Sequence, residues 1–290
     1  MRFVSNNLKA LINVADEIVF GKFKNPLREY SYNGMSININ ENCVYVYVRN
    51  VDDIYPVKEL IKDKICIVDI TEETYNYSVN VYAGEGISLN SSSFFPQFSV
   101  AFRVKKTVNY STTYGMLTCG HAFNGSSASV YLPGHESGLT SSVLIGTVSS
   151  TEQQNSGNTD AAVIRLNNNA SPYNIIHNSS IQIHAGTYIS LQVGNTVYMR
   201  GRASEVSCGV VKDISFSTTI NGDSFYDLVK ADYISANGDS GGAVYSEPNS
   251  YNFSFAVGIQ TGSVYTPIEF AYSLYTKIYN AINTLGFGLY

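Results

Sequence analysis

The chain has 290 residues, enough for two or three hydrophobic cores of ordinary domain size. Charged residues make up only 14% of it, and polarity comes instead from Asn, Ser, Thr and 23 Tyr, a composition typical of strands and turns. A net charge of −5 without a basic run argues against a nucleic-acid partner, and no stretch reaches the roughly 18 apolar residues that a membrane span needs.

Charge density divides the chain near residue 84. Residues 1–84 contain nine Lys/Arg and eleven Asp/Glu, so 20 of 84 are charged, whereas residues 85–290 contain nine and twelve, so 21 of 206 are charged. A Gly84-Glu85-Gly86 turn lies at this change. We therefore expect one domain over residues 1–84 and a second over residues 85–290.

The first region mixes helix and strand patterns. Apolar residues over Asn7–Phe20 follow a helical spacing, and Val57–Ile61 indicates one further short helix. Met35–Ile39 and Cys43–Val48 alternate like paired strands, and Lys64–Ile70 indicates another strand. These patterns predict a small α+β domain.

The N-terminal segment does not have the pattern of a secretion signal. Lys9, Asp16 and Glu17 interrupt what would have to be the apolar part of such a signal, over Leu8–Phe20. We therefore expect a protein that stays in the cell, leaves by another route or is seen without its leader.

The second region has the pattern of many short strands separated by Gly-, Asn- and Ser-rich turns, which is typical of a β-sandwich or barrel. One helix is predicted near its end, over Tyr272–Leu285, because Leu274, Ile278 and Ile282 share one helical face. The predicted strands are Phe98–Val104, Gly115–Cys119, Ala128–Leu132, Val143–Val148, Ala161–Leu166, Thr196–Met199, Gly209–Phe216, Asp227–Ala231, Ala243–Tyr245 and Phe253–Gln260.

The sharpest motif is Gly238-Asp239-Ser240-Gly241-Gly242. A serine hydroxyl is a poor nucleophile at neutral pH and needs a base beside it, together with backbone N–H donors for the oxyanion that forms. Glycines on both sides let the chain turn tightly and aim the Gly238 and Ser240 amides into one hole. The motif also fits the G-x-S-x-G turn of α/β-hydrolases, but those need a histidine after the serine, and all four histidines precede Ser240.

The chain order His, Asp, Ser is one of the known orders of a catalytic triad, and local context selects the partners. The segment LTCGHA (117–122) ends an apolar strand with a small-residue turn that presents His121. The segment NTDAAVI (158–164) places Asp160 at the start of a buried strand, where a carboxylate is an effective partner for an imidazolium. The other three histidines lack such a context, and we interpret them as structural or surface residues.

These motifs carry a family resemblance. LTCGHAF, NTDAAVIRL and NGDSGGAVY resemble the His, Asp and Ser motifs of the chymotrypsin superfamily, in particular those of the bacterial streptogrisin and alpha-lytic protease group. MRGRASEVSCG (199–209) is similar to that group's G-R-T-T-G-x-x-C-G segment, AVGIQTGS (256–263) to its substrate-binding strand, and residues 273–290 to its terminal helix and strand. The resemblance implies a mainly β fold with two antiparallel six-stranded β-barrels and a C-terminal helix, preceded by the small α+β domain.

The resemblance also implies a serine endopeptidase that uses neither a cofactor nor a metal. His121 would act as general base and then general acid, Asp160 would orient it, and Ser240 would attack the scissile carbonyl. The N–H groups of Gly238 and Ser240 would form the oxyanion hole. We expect peptide or protein substrates and a monomeric enzyme.

Residues around the triad are assigned by the same resemblance. Thr261 would lie beside the triad, and Gly262 and Ser263 would form a wall of the S1 pocket, which takes the side chain preceding the cleaved bond (the P1 residue). Ile234 would lie at the base of that pocket, where no acid is evident to bind Lys or Arg. Asp239 would support the oxyanion hole by pairing with a buried cation. The candidates for this cation are Arg200 and Arg202.

Residues 35–70 resemble, more loosely, the last subdomain of that group's pro-region, which templates folding and inhibits the protease. On this interpretation we expect the protease itself to cut the chain between about Thr71 and Glu85. The alternative is an accessory domain that is never removed.

The cysteines depart from the group's pattern. Ala122, Ile234 and Tyr198 stand where the group usually has cysteines, so Cys208 lacks its usual mate, and Cys119 is at an unusual place. None of the four cysteines has the CxxC spacing of a zinc site. We expect Cys119 and Cys208 to be buried free thiols. Missing disulfides fit a reducing compartment, whereas the resemblance implies secretion, so localisation stays open.

Two other functions remain open at this point. The same barrels could form a catalytically silent binding module, or a zymogen held inactive by residues 1–84. A fluorophosphonate probe separates these possibilities, because a binding module would not react and a zymogen would react only after cleavage.

Overall fold

The computed structural model describes residues 13, 32–38, 43–48, 52, 54–61, 66–70, 79–92, 95–133, 142–265 and 270–290. The chain divides into two compact units, Met1–Asn76 and Tyr77–Tyr290. The helix predicted over Asn7–Phe20 lies outside the described residues except at Asn13, which is helical. No helix in the described part of the chain is long and apolar enough to cross a membrane.

The first unit is a small α+β fold, as the sequence predicted. Its elements are β1 (Tyr32–Asn38), β2 (Cys43–Val48), α1 (Ile54–Leu60) and β3 (Cys66–Ile70). β2 pairs antiparallel with β1 and parallel with β3. Since parallel neighbours need a crossover connection, α1 fills that position, with Val57 fully buried.

The second unit consists almost entirely of strands. They fall into two barrel-like halves, described below. In chain order the strands are β4 (Val79–Ala83), β5 (Gly86–Ile87), β6 (Phe98–Ser99), β7 (Arg103–Val108), β8 (Ser111–Thr118), β9 (Ala128–Leu132), β10 (Val143–Ser156), β11 (Thr159–Leu166), β12 (Ala170–Ile176), β13 (Gln182–Tyr188), β14 (Thr196–Gly201), β15 (Glu205–Ile220), β16 (Asp223–Ala231), β17 (Ala243–Ser246), β18 (Phe253–Tyr265), β19 (Phe270–Lys277) and β20 (Gly288–Leu289).

The first half is a six-stranded sheet in the order β20-β7-β8-β11-β10-β9. Its inward-facing side chains form a continuous apolar core that includes Met116, Val130, Ile145 and Ile164, each fully buried. Strands of this kind alternate inward apolar and outward polar side chains, which explains the period-two pattern seen in the sequence.

The second half is a ring of strands. The pairing order is β17-β14-β15-β16-β19-β18, and β17 also pairs with β18, so the ring closes. Closure removes the exposed strand edges that an open sheet leaves. The ring encloses a second core, with Met199, Val211, Tyr233 and Val244 fully buried.

The C-terminal helix is shorter than the sequence predicted. The chain stays extended in β19 through Lys277, and helix α2 (Ile278–Leu285) begins only there. The apolar spacing over Tyr272–Leu285 is compatible with a helix, but β19 lies between β16 and β18 and its backbone bonds with both. Tertiary pairing thus overrides the local helical pattern.

Candidate active site

The pairing of β8 with β11 brings His121 and Asp160 together. The two strands are antiparallel, with Thr118 opposite Ala162, so the end of β8 lies beside the start of β11. His121 follows β8 and Asp160 is the second residue of β11, and this register places His121 Nδ1 2.8 Å from Asp160 Oδ2.

The Asp160 carboxylate is held rigidly. Its side chain is completely buried, and Oδ1 accepts hydrogen bonds from the backbone N–H of Gly120 at 2.9 Å and of His121 at 2.8 Å. The Asp160 N–H donates in turn to Thr276 Oγ1 at 3.0 Å. A buried carboxylate bonded in this way can orient an imidazole and balance its positive charge.

His121 lies at the surface end of this arrangement. Its side chain is 30% exposed, and its ring packs edge-on to Phe98 with centroids 6.5 Å apart. Electrostatic interaction with Cys119 and, next, with the Asp160 carboxylate raises the pKa of His121, whereas burial acts to lower it. Cys119 is fully buried, and its influence on the histidine was not foreseen from the sequence.

Ser99 ties the Ser240 loop to the first half of the unit. The Ser99 N–H donates to Ser240 O at 2.8 Å, and Ser99 Oγ donates to Gly238 O at 2.8 Å. Thr118 Oγ1, at the end of β8, donates to Ser99 O at 2.7 Å. Ser99 therefore connects the strand that presents His121 with the loop that presents Ser240. No motif marked it, since its role depends on chain segments far apart in sequence.

The Ser240 hydroxyl is oriented by the neighbouring strand. Ser240 Oγ donates to Thr261 O at 3.5 Å. Ser240 and His121 both lie in the described part of the chain, and no hydrogen bond joins them. Thr261 Oγ1 lies 3.1 Å from Thr276 Oγ1, which accepts from Asp160. Catalytic hydrogen bonds are often long before substrate binds, so this arrangement is compatible with a nucleophile at rest.

The turn at Gly238 requires a glycine and leaves two backbone N–H groups without an acceptor among the described residues. Gly238 has φ 104°, which disfavours a side chain, and a Cβ there would lie 2.3 Å from Arg202 Nε. Among the described residues, no protein acceptor takes the Gly238 N–H or the Ser240 N–H. These donors are available to an incoming oxygen.

Asp239 lies beneath this turn, and backbone amides hold its carboxylate. Oδ1 accepts from the N–H groups of Ala203 at 2.7 Å and Ser204 at 3.0 Å, and Oδ2 accepts from that of Ala236 at 2.8 Å. The approach requires Gly201, where a Cβ would lie 2.5 Å from Asp239 Oδ1.

The expected salt bridge of Asp239 with Arg200 or Arg202 is replaced by these amides. Arg200 turns away and bonds to His177, with Nη2 3.2 Å from Nδ1 of that ring. Arg202 Nε is buried and has no hydrogen-bond partner among the described residues. The physical reason is that three N–H donors already satisfy the carboxylate.

The residues predicted to bind substrate occupy different environments. Thr261 is buried beside Ser240, and Gly262 and Ser263 follow it on β18, half-buried. Ile234 has a 59% exposed side chain, and its N–H donates to Ser207 Oγ at 2.9 Å. It lies at the surface in this structure.

The two cysteines of this unit are free, but only one is buried. Cys119 is buried and Cys208 is exposed. The expectation that both are buried is thus corrected for Cys208. This residue lies on β15, opposite Tyr198 of β14, and β15 is largely open to solvent. No cluster of His, Cys, Asp or Glu in the described part of the chain could hold a metal ion.

The family model named Trypsin matches residues 92–285. The chain belongs to the trypsin family. Among solved structures, this trypsin-family chain is similar to the protease described as "A glutamic acid specific serine protease utilizes a novel histidine triad in substrate binding". The two share 23% identity with a TM-score of 0.55, covering 72% of this chain and 100% of that one. It is also similar to Cellulomonas bogoriensis chymotrypsin, at 18% identity and TM-score 0.53, covering 73% and 98%.

Alpha-lytic protease homolog N4 is a third similar structure, at 18% identity and TM-score 0.52, covering 73% of this chain and 100% of that one. No curated protein matches the chain. At these identities the structural likeness shows the fold alone, which agrees with the resemblance seen in the sequence. The trypsin family is one of serine proteases, so peptides or proteins are the substrate class that membership implies.

Proposed function

We propose that this chain is a serine endopeptidase in which His121, Asp160 and Ser240 form the catalytic triad. The observation that carries the proposal is the 2.8 Å contact of His121 Nδ1 with the fully buried Asp160 carboxylate. It leaves Nε2 as the ring nitrogen that can take a proton. A purely structural histidine would not need a buried carboxylate held by backbone amides on one side and an accessible edge on the other.

The first half of the reaction forms an acyl-enzyme. Ser240 Oγ attacks the scissile carbonyl carbon while His121 Nε2 takes its proton, and the carbonyl electron pair moves to the oxygen. The Gly238 and Ser240 N–H groups stabilise that oxyanion. When the intermediate collapses, the bond to the amine breaks and His121 donates its proton to the leaving nitrogen.

The second half hydrolyses the acyl-enzyme. His121 takes a proton from water, which attacks the ester carbonyl in the same oxyanion hole. Collapse breaks the bond to Ser240 Oγ, which regains a proton from His121, and the carboxylic acid product leaves. Asp160 stays ionised and keeps the imidazole in the required tautomer.

Labelling with a fluorophosphonate probe tests the nucleophile. We expect one probe per chain, attached at Ser240 and located by mass spectrometry, and none on Ser240→Ala. Neighbouring Ser204 provides a matched control, because Ser204→Ala leaves the hydroxyl of Ser240 in place and labelling should persist. A wild-type chain that stays unlabelled, both intact and after proteolytic removal of residues 1–76, would show a binding module instead.

Kinetics of triad variants test the mechanism. We expect His121→Ala and Ser240→Ala each to reduce peptide hydrolysis to near background, and the double variant to be little worse, because the residues act as a unit. Asp160→Asn should lower kcat about 10⁴-fold, by the precedent of the chymotrypsin-type triad, since it favours the wrong imidazole tautomer. Hydrolysis at the wild-type rate in Ser240→Ala would contradict the mechanism.

A further inference from the structure

A ring of hydrogen bonds lies directly behind the Ser240 loop. Tyr233 Oη donates to Gln260 Oε1 at 2.5 Å, and Gln260 Nε2 donates to Ser235 Oγ at 2.8 Å. Ser235 Oγ lies 2.6 Å from Ser273 Oγ, and Ser273 Oγ donates to Tyr233 O at 2.9 Å, which closes the ring. The proposed mechanism does not use any of these side chains.

The direction of every bond in the ring is determined. Tyr233 O can only accept, so Ser273 donates to it, and Ser235 must then donate to Ser273. The Gln260 amide cannot be flipped, because its Nε2 also donates to the carbonyl oxygen of Gly262 at 2.9 Å. Both amide hydrogens of Gln260 and the hydroxyl hydrogens of Ser235 and Ser273 are therefore donated to acceptors within the protein.

The ring joins the chain segments between which a P1 side chain would enter. Two segments flank Ser240: residues 235–238 precede it in the chain, and Thr261 O accepts from its Oγ at 3.5 Å. We place the P1 side chain of a peptide attacked by Ser240 between residues 235–238 and residues 261–263. Gln260 links these segments through Ser235 Oγ and Gly262 O, and Tyr265 Oη donates to Ser235 O. The bonds therefore form a floor across the gap.

The floor is closed to solvent in the absence of substrate. Ser235, Ser273 and Tyr233 are 0% exposed and Gln260 is 1% exposed, so solvent does not reach them. An open, deep pocket would leave its base accessible. A long P1 side chain would have to break the ring, and a charged one would meet no oppositely charged group among its members.

Resting on the proposed function, we propose that Gln260 and its ring make S1 a short pocket that accepts only small, uncharged P1 side chains such as those of Gly, Ala and Ser. Gln260 is the specificity-determining residue, because its side chain occupies the space that a longer P1 group would need.

The test is a set of peptides that differ only at P1, with Ala, Ser, Leu, Phe, Gln, Lys or Glu at that position. We expect kcat/KM for Ala and Ser to exceed every other value by about tenfold or more, the discrimination that a few misplaced methylene groups produce. Cleavage after Leu, Phe, Gln, Lys or Glu as fast as after Ala overturns the inference and leaves the proposed function intact. If no peptide is cleaved and Ser240 is not labelled, the proposed function fails, and the inference fails with it.

Variants of Gln260 separate volume from hydrogen bonding. Gln260→Ala should raise the kcat/KM ratio of Leu to Ala about tenfold by opening the floor, whereas Gln260→Met, which keeps the volume, should retain the preference for Ala. Gln192→Ala, at an exposed glutamine, is the matched control and should leave the ratio unchanged. An unchanged ratio in a folded Gln260→Ala contradicts the assigned role, and the wild-type profile decides the inference if that variant does not fold.

Discussion

At the scale of single residues, the site depends on a few buried polar atoms whose partners are all specified. Asp160 receives two backbone N–H groups and the imidazole, and Asp239 receives three backbone N–H groups. Such groups are costly to bury unless they are fully bonded, so each position tolerates little change. Cys119 is a second ionisable group next to the histidine, after Asp160.

The pH dependence of hydrolysis tests the contribution of Cys119. Because the pKa of His121 is raised above its usual 6.5, the ring stays protonated to higher pH and cannot accept the Ser240 proton, so activity should rise with pH through that raised pKa. Cys119→Ala removes the interaction that contributes most to the raised pKa of His121, and the rising limb of kcat/KM should move to lower pH. Cys119→Ser, which keeps the size of the side chain without an ionisable thiol, should give the same shift.

A limb that stays in place in both Cys119 variants would show that the thiol is neutral and acts only by packing. The readout is the profile of kcat/KM against pH, which reports the ionisation of the free enzyme.

At the scale of elements, strand register decides which side chains meet. The antiparallel pairing of β8 with β11 places His121 against Asp160, and β19 carries Thr276 to the same point from the second half. Helix α2 then covers the apolar side chains of both halves, with Ile278 and Ala281 buried in a core that includes Phe102 and Ile259.

Alanine substitutions on α2 test this packing. Ile278 is 1% exposed, and Ile278→Ala should lower the free energy of unfolding by about 2–5 kcal/mol, because it leaves a cavity in the shared core. Tyr279 is 51% exposed on the same helix, so Tyr279→Ala is the matched control and should change it by no more than about 0.5 kcal/mol. Denaturant unfolding of both variants provides the comparison. Equal losses would mean that the helix does not pack as described.

At the scale of the whole molecule, the two compact units divide between Asn76 and Tyr77. β4 (Val79–Ala83) belongs to the second unit, where it pairs in parallel with β12. We propose that residues preceding β4 are a pro-region and that the protease cuts between Thr71 and Val79. Ser78 has the smallest side chain in that segment, so a short S1 pocket favours cleavage after it.

Intact-mass analysis over time tests this processing. Wild-type protein should convert to a shorter form beginning at about Val79, and Ser240→Ala should stay intact until active enzyme is added. An extra residue on the new N-terminus should leave activity unchanged, because backbone amides already hold Asp239. A fully active enzyme that keeps all 290 residues would identify residues 1–76 as an accessory domain.

The sequence by itself determined the types of most elements and the candidate triad. Period-two patterns identified most of the strands because each strand has one face in a core. The motifs around His121, Asp160 and Ser240 could be recognised because a nucleophile, its base and its oxyanion donors need particular residue types over a few consecutive positions.

Only the tertiary structure decided which groups surround that chemistry. Ser99 meets Gly238 across 139 positions of the chain, and Thr276 meets Asp160 across 116. The end of β19 at Lys277, the amides that replace an arginine at Asp239, and the ring around Gln260 likewise depend on strand register. Local sequence shows the chemical type of each residue and the hydrophobic periodicity of its segment. A hydrogen-bond partner, in contrast, is specified by packing between segments distant along the chain.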